Sequence, residues 1–377
     1  MRVAFVSNVV YPFVTGGAEK RIHEIGTRLA DEGHDVTIYG RHFWDGPEQT
    51  THEGMTLRAV APEADLYDGD RRSITEALDF AARALPQLRR HLRRDEHDVV
   101  VASVFPYFPV LATKLASLRT ETPLVTTWHE VWNTEYWVNY LGILGLIGWI
   151  VQLITANVPQ RPIAVSEMTA DRLARIRLDR RDIEVVPNGV NVEEIDSTPA
   201  SRDTYDILYV GRLISDKNVG MLLKAFDEIS NTHEVSLGII GDGPKRDALE
   251  TQAESLVHPE RVDFLGFLED SEDVYSYMSS ADLFVLPSTR EGFGITVLEA
   301  MVNDCIPIVV SHEHSAASEV VGRAGFVAEP TPSSLAEKIE RVLAGKSPEV
   351  DPVERARQFD WEVAARHAEQ LYTKTVD

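Results

Sequence analysis

The chain carries one cysteine in 377 residues, which rules out an internal disulfide and suits a reducing compartment. That residue, Cys305, lies in the apolar run Cys305-Ile-Pro-Ile-Val-Val310 and reads as a small core residue rather than a nucleophile. Lysine is also scarce: 8 Lys stand beside 29 Arg, and 60 acidic residues against 37 basic ones leave a net charge of −23. That balance argues against a nucleic-acid partner, because phosphate backbones are gripped by Lys and Arg. Surplus acid with little lysine suits a protein kept soluble by abundant cations, and an ordinary acidic protein is the rival reading. Residues 1–195 carry −6 of that charge and residues 196–377 carry −17, so the first half is closer to neutral. The opening Met1-Arg-Val-Ala-Phe-Val-Ser7 has one basic residue and reads as a first strand, not a signal peptide. Solenoid repeats and low-complexity tracts are lacking as well.

What is present is a double series of alternating strands and helices, in a chain long enough for two domains. The first series predicts strands at 2–6, 35–39, 97–102, 124–127, 161–164 and 182–186, with an amphipathic helix over 18–32. The polar, proline-bearing stretch Asp196-Ser-Thr-Pro-Ala-Ser-Arg-Asp203 is the expected linker. The second series predicts strands at 206–210, 235–240, 262–265 and 283–286, helices at 220–229, 245–254 and 273–278, and a final helix over 360–373. Strand and helix in alternation argue for parallel βα units, an α/β fold. The expected division is 1–195, 204–355 and a tail at 356–377.

One stretch carries more chemistry than any other: Ser288-Thr-Arg-Glu291-Gly-Phe-Gly-Ile-Thr-Val-Leu-Glu299. It follows the buried strand Asp282-Leu-Phe-Val-Leu-Pro287. Gly292 and Gly294 let the backbone turn, and Ile295–Val302 has helical spacing. Glu291 thus sits in a glycine loop at the carboxyl end of a strand, and Glu299 about a turn into the next helix. Ligands bind at that edge of open parallel sheets, and a helix N-terminus offers free N–H groups to phosphate. A phosphate seat flanked by two carboxylates suits a sugar nucleotide. On spacing alone, a solvated loop acid and a first-turn helix acid account for the pair equally well.

The segment resembles the E-x7-E signature of retaining glycosyltransferases with two facing Rossmann-like domains, the family-4 group (glycosyltransferase group 1), and other segments match in order along nearly the whole chain. Tyr209-Val-Gly-Arg212-Leu-Ile-Ser-Asp-Lys217 resembles the family's donor-phosphate motif, so Arg212 and Lys217 are expected to neutralise a diphosphate; surface ion pairing would also explain them. Ile239-Ile-Gly241-Asp-Gly243-Pro resembles the family's G-x-G-P turn, where glycines mostly serve a tight connection. Phe264-Leu-Gly266-Phe267-Leu268 resembles the stretch that meets the nucleobase, which implies base contact at Phe267 and Leu268; a plain strand end is the alternative. Val14-Thr-Gly16-Gly17-Ala18-Glu19 resembles the G-G-x-E loop, whose backbone approaches donor phosphate and acceptor, and it gives no support to a dinucleotide fingerprint. Thr126-Thr-Trp128-His129 places His129 where relatives carry a histidine close to the sugar, and the neutral ring suits a hydrogen bond to a sugar hydroxyl such as O6. By itself, a histidine after a strand is more often structural.

From Tyr136 to Gln160 no residue is charged, and four of six tryptophans (Trp128, Trp132, Trp137, Trp149) cluster nearby. The run reads as too short and too glycine-rich to span a bilayer. It is either a buried helix with its loop or an interfacial patch with aromatic anchors that takes a lipid-linked acceptor. The basic helix Leu85-Pro-Gln-Leu-Arg89-Arg90-His-Leu-Arg93-Arg94 either faces anionic lipid or is simply solvated.

The resemblance implies a GT-B architecture, with two Rossmann-like domains facing across a cleft and a C-terminal helix crossing back to the first. It implies a retaining hexosyltransferase that moves sugar from a nucleoside diphosphate to a hydroxyl acceptor on a glycan or lipid. Glu291 would hold donor-sugar hydroxyls, with Gly292, Phe293 and Gly294 at the phosphate and Glu299 on the ribose. The acceptor would attack on the face the leaving group vacates, with the departing phosphate oxygen as base; a covalent glycosyl intermediate on a carboxylate is the alternative. No Asp-x-Asp and no His/Cys set of ligand spacing appears at these motifs, so neither metal nor cofactor is expected. A cytoplasmic enzyme of haloarchaeal type, with peripheral contact at the inner face of the membrane, completes the expectation. A nucleotide-sugar epimerase of the same architecture and a non-catalytic sugar-nucleotide binder are the alternatives.

Overall fold

Short apolar runs closed by glycine, proline or polar residues become parallel strands buried on both faces, because the crossover connections place helices over each face. The computed structural model describes residues 1–68, 71–94, 96–179 and 183–376. They form two units, Met1–Asn188 with Trp361–Asp377, and Gly189–Asp360.

In the first unit the strands are β1 (Arg2–Val6), β2 (Asp35–His42), β3 (Gln49–His52), β4 (Met55–Pro62), β5 (Val99–Val104), β6 (Leu124–Trp128), β7 (Arg161–Ala164) and β8 (Glu184–Val185). They lie in the order β8-β7-β6-β5-β1-β2-β4-β3. All pairs are parallel except the β3–β4 hairpin. Strand order therefore reverses between β5 and β1. Of the last expected strand, Asp182 lies outside the described residues. The first helix, α1 (Gly17–Asp31), is held by the C-terminal helix Trp361–Val376. Arg28 Nε donates to Glu362 Oε1 at 2.8 Å, His34 Nε2 meets Glu369 Oε1 at 2.8 Å, and the Tyr372 ring meets Phe5 edge-on. The helices α2 (Ile74–Leu92), α3 (Tyr107–Ala116), α4 (Thr134–Leu141) and α5 (Gly145–Asn157) complete the parts that matter here.

The second unit holds β9 (Tyr205–Val210), β10 (Leu237–Ile240), β11 (Val262–Gly266), β12 (Ala281–Leu286), β13 (Ile306–Val310) and β14 (Phe326–Ala328), all parallel, in the order β11-β10-β9-β12-β13-β14. Its order reverses between β9 and β12. Cys305 is fully buried at the start of β13, its thiol donates to the Met278 carbonyl, and burial pushes it up to about 12. The stretch expected as linker is pinned to this unit instead: Val192–Asp196 is helical, Ser201 N donates to Ser276 O at 2.9 Å, and Ser276 Oγ donates to Pro199 O at 2.8 Å. The passage between units falls at 188/189 and again at 360/361.

The apolar stretch folds as a hairpin. Gly142 at φ +62° breaks the helix, and a Cβ on Gly145 would lie 2.1 Å from the Trp137 carbonyl oxygen, so the two arms touch. By length and composition alone, Thr134–Asn157 taken together is long and apolar enough to cross a membrane. As folded, the 8-residue and 13-residue arms are roughly 12 and 20 Å long, short of the roughly 30 Å of a hydrocarbon core. Three of the four clustered tryptophans follow the buried alternative, and Trp149 is half-buried. Trp128, Trp132 and Trp137 are buried at 0%, 6% and 4% exposure because each indole N–H has an internal acceptor: Thr126 Oγ1, Glu130 Oε2 and Gln152 Oε1. The outward face is aliphatic instead, with Ile143 83%, Ile147 59% and Ile150 53% exposed.

At the carboxyl end of β2, Arg41 is fully buried and fully satisfied. Its Nε donates to Glu76 Oε1 at 2.6 Å, its terminal nitrogens to Pro62 O and Glu76 O, and Asn8 Nδ2 meets the other Glu76 oxygen at 2.9 Å. Removing Glu76 takes away the buried partner and leaves the guanidinium only the part-exposed Asp79 carboxylate, whose Oδ2 accepts from it at 3.0 Å. Glu76→Ala is expected to lower unfolding free energy by about 3–5 kcal/mol in urea denaturation, and Glu76→Gln by less.

Candidate active site

In each unit most of the singled-out residues gather where strand order reverses, the crevice at which open α/β sheets bind ligands; Phe267, Leu268 and His129 follow strands further along. In the second unit, Arg212 and Lys217 follow β9 and Glu291 follows its neighbour β12. The Lys217 ammonium and the Glu291 carboxylate form an ion pair, with side chains 22% and 11% exposed. Both stems are stapled: Thr289 N and Oγ1 donate to Asp216 O, Arg290 pairs with Asp216 Oδ2 at 3.2 Å, and Ala316 N donates to Glu291 O at 2.9 Å. Beneath them Tyr209 is fully buried and its hydroxyl donates to Arg212 O, while burial first and the Glu291 charge second hold its phenol well above the usual range. Gly294 takes φ +100°, a region closed to most side chains, and opens α6 (Ile295–Val302) with no side chain capping its N-terminus. The first amides of α6 are therefore directed at whatever anion arrives.

Gly292 lies in the same loop, while the Phe293 ring is buried against Phe359. Glu299 is 8% exposed, and Tyr275 Oη lies 3.5 Å from its Oε1. Phe267 and Leu268 follow β11, two strands away from β9, with the Phe267 ring 64% exposed. The turns after β9, β10 and β11 interlock: Gly211 N donates to Ile240 O, and Gly241 N to Gly266 O at 2.7 Å. Gly241 needs its identity, since a Cβ would meet Gly211 O at 2.0 Å.

In the first unit a small recess at the β1–β5 reversal is lined by Ser7, Asn8, Glu19, Ser103 and Phe105. Gly16 and Gly17 open α1 there, and the Glu19 carboxylate folds back over Gly16, so that a Cβ on Gly16 would lie 2.3 Å from Glu19 Oε2. Arg72 donates to Glu19 Oε1 at 3.2 Å. His129 follows β6, and its Nε2 shares a 2.9 Å hydrogen bond with Ser103 Oγ at the end of β5. Burial, then the nearby Arg21 guanidinium, pushes its imidazole down to about 3. Arg21 is itself 2% exposed, donating to Pro187 O and Asn188 Oδ1. Ser103, Arg21 and Asn188 escaped the sequence reading; the one available signal was that Ser103 closes an apolar strand.

Two family descriptions match the chain, Glycosyltransferase Family 4 over residues 15–194 and Glycosyl transferases group 1 over residues 191–359. The protein belongs to the group 1, family-4-like glycosyltransferases and has their GT-B type of α/β fold. It is 29% identical to the glycogen synthase of Mycobacterium tuberculosis, over 99% of this chain and 94% of that protein. It is 27% identical to the phosphatidylinositol N-acetylglucosaminyltransferase GPI3 subunit of Saccharomyces cerevisiae, over 98% of this chain and 82% of that protein. Among solved structures, sucrose-phosphate synthase of Thermosynechococcus elongatus has a TM-score of 0.81 at 19% identity, covering 99% and 98% of the two chains. Anabaena HepE in complex with UDP has a TM-score of 0.74 at 20% identity, covering 99% and 100%.

The depressed His129 value has a sign. Between about 3 and the ordinary 6.5 the unfolded chain binds a proton that the folded chain refuses, so this histidine's contribution to stability is lost as pH falls below 6.5. His129→Gln is expected to flatten that part of the stability–pH curve. In the native protein, the His129 ring proton signals are expected not to shift between about pH 5 and 8 in NMR titration.

Proposed function

We propose that the protein is a retaining, metal-independent hexosyltransferase that uses a nucleoside diphosphate sugar, with a UDP-sugar as the first donor to try because HepE was solved with UDP. The observation that carries this reading is the Lys217–Glu291 pair beside the uncapped N-terminus of α6 at the β9–β12 reversal. A bound donor would divide the pair: the ammonium turns to diphosphate oxygen and the carboxylate to sugar hydroxyls. Arg212, Lys217 and the Gly292–Gly294 amides then stabilise charge growing on the leaving group. Glu299 takes the ribose hydroxyls, the backbone at Phe267 and Leu268 takes the base, and Gly16 and Gly17 bring backbone toward phosphate and acceptor. Neutral His129 accepts or donates one hydrogen bond to a sugar hydroxyl.

The reaction breaks the bond from the anomeric carbon to the diphosphate oxygen and forms one to the acceptor oxygen on the same face. The acceptor's proton passes to the departing phosphate oxygen, and no cofactor enters the balance. Donor binding and diphosphate release across UDP-, GDP- and ADP-sugars test the reading, at low salt and in molar KCl as the acidic, lysine-poor composition suggests. One donor is expected to bind, and Glu291→Ala or Lys217→Ala to slow diphosphate release by about 10²–10³. Failure of every sugar nucleotide to bind sinks the proposal. An isomerised donor formed without acceptor marks an epimerase, and tight binding with no turnover marks a binding protein.

The acceptor we assign is lipid-linked, taken at the cytoplasmic face of the membrane. The support is the aliphatic face of the α4–α5 hairpin, with Leu144, Leu146 and Ile154 also about half exposed. α5 packs on α3 and α3 on α2, whose Arg90, Arg93 and Arg94 are exposed and suit anionic headgroups. Each isoleucine buried in a bilayer contributes about 1.5–3 kcal/mol. The double variant Ile147→Glu, Ile150→Glu should therefore lose more than roughly tenfold in cosedimentation with phosphatidylglycerol vesicles while keeping donor hydrolysis. Equal sedimentation of both proteins would remove the membrane from the account.

A further inference from the structure

Beneath the loop that joins β1 to α1, three separated residues converge. His23 projects from α1, His52 ends β3, and Glu53 begins the tight turn to β4 with φ +45°. His23 Nε2 lies 3.1 Å from Glu53 Oε2, His52 Nε2 lies 3.7 Å from Glu53 Oε1, and one donor atom from each residue falls within 4.8 Å of the others. One observation beyond proximity points to a missing ligand. His52 Nε2 is shielded from solvent and has no hydrogen-bond partner among the described residues, yet it is aimed at the Glu53 carboxylate, beside a His23 ring that is only 9% exposed. A shielded polar atom left unsatisfied costs about 1–3 kcal/mol. For His52 Nε2 that cost vanishes if a Lewis acid accepts its lone pair. By contrast, both ring nitrogens of His34, beside Glu369, are already engaged, one by the N-terminal amine and one by that carboxylate.

We propose that His23, His52 and Glu53 bind a divalent transition-metal ion, with Zn²⁺ the best match to two imidazoles and one carboxylate. Metal–ligand bonds of about 2.0–2.1 Å place tetrahedral donor atoms about 3.3 Å apart. The Glu53 oxygens already lie 3.1 and 3.7 Å from the two imidazole nitrogens, and the remaining adjustment falls on the His52 and Glu53 side chains, which are 28% and 55% exposed. Water fills the fourth position. The ion serves the loop above it: the Tyr11 ring lies on His23 at 4.7 Å and the Phe13 ring on His52 at 5.7 Å, and both belong to the segment that delivers Gly16 and Gly17. Fixing the two imidazoles fixes the surface on which that segment rests. The ion stands apart from the residues assigned to sugar transfer and takes no part in that step.

The test uses untagged, chelator-stripped full-length protein titrated with Zn²⁺ by calorimetry and with Co²⁺ by visible absorption. One equivalent is expected to bind at this site and to raise the thermal midpoint. His52→Asn and Glu53→Gln should each weaken that equivalent by about tenfold or more, the least expected when a metal site loses a supporting group. Circular dichroism confirms the fold of each variant, and Glu53→Gln, in an exposed turn, carries the test if His52→Asn does not fold. Absence of Zn²⁺ and Co²⁺ uptake by the wild type, or undiminished uptake by Glu53→Gln, overturns the proposal.

Discussion

A parallel sheet covered on both faces has one place left for polar chemistry, the carboxyl ends of its strands, and within that edge one gap that no crossover helix fills. That gap opens where successive strands are laid down in opposite directions from a starting strand. Each unit has one such starting strand, β1 in the first and β9 in the second, and the ion pair and the recess follow from that. Gly16, Ser103 and the recess sit at the β1–β5 gap, with His129 one strand further on. Arg212, Lys217 and Glu291 sit at the β9–β12 gap. The buried apolar runs are thus the cause of the site's position, although no member of a run touches a ligand.

How far the sequence could be read depends on the range of the interactions involved. Many strand cores were legible because β-branched, apolar runs bounded by glycine and proline encode themselves locally, whereas β3, β4, β13 and β14 were not among the expected strands. The glycine loop with Glu291 and the helix carrying Glu299 were legible for the same reason: a left-handed turn and a helix start are local events. The Lys217–Glu291 pair was not, because 74 residues separate its members and only the sheet order makes them neighbours. His129 could be placed after a strand, but its neutrality comes from burial beside Arg21, a contact written nowhere in the local pattern. For the tryptophans, composition left interfacial anchors and a buried helix both open. A tryptophan with an internal acceptor for its N–H prefers the core, and those acceptors lie up to 15 residues away.

The boundary between units makes a related point. A polar, proline-bearing stretch looks like a linker by composition, but Pro199 and Ser201 offer backbone groups that Ser276, and the Ser276 backbone, can satisfy. Once those bonds form, the stretch belongs to the second unit. Polar segments without periodicity are free only when nothing nearby completes their hydrogen bonds.

A chain of net charge −23 that must hold a diphosphate faces an electrostatic conflict, sharper because residues 196–377 carry most of the excess acid. Distance resolves it. Repulsion from dispersed carboxylates acts over many ångströms and is screened within about 3 Å at 1 M salt. The contacts offered by Lys217, by Arg212 and by the first amides of α6 act at hydrogen-bond range, where screening by mobile ions has no room to operate. Raising salt therefore removes the opposing field before it weakens the binding contacts. Glu291 adds a second control, for it neutralises Lys217 while the seat is empty and keeps a partly buried ammonium from standing alone. In the proposed site the same carboxylate turns to sugar hydroxyls once an anion has taken its place on the lysine, which would link recognition of phosphate to recognition of sugar through one side chain.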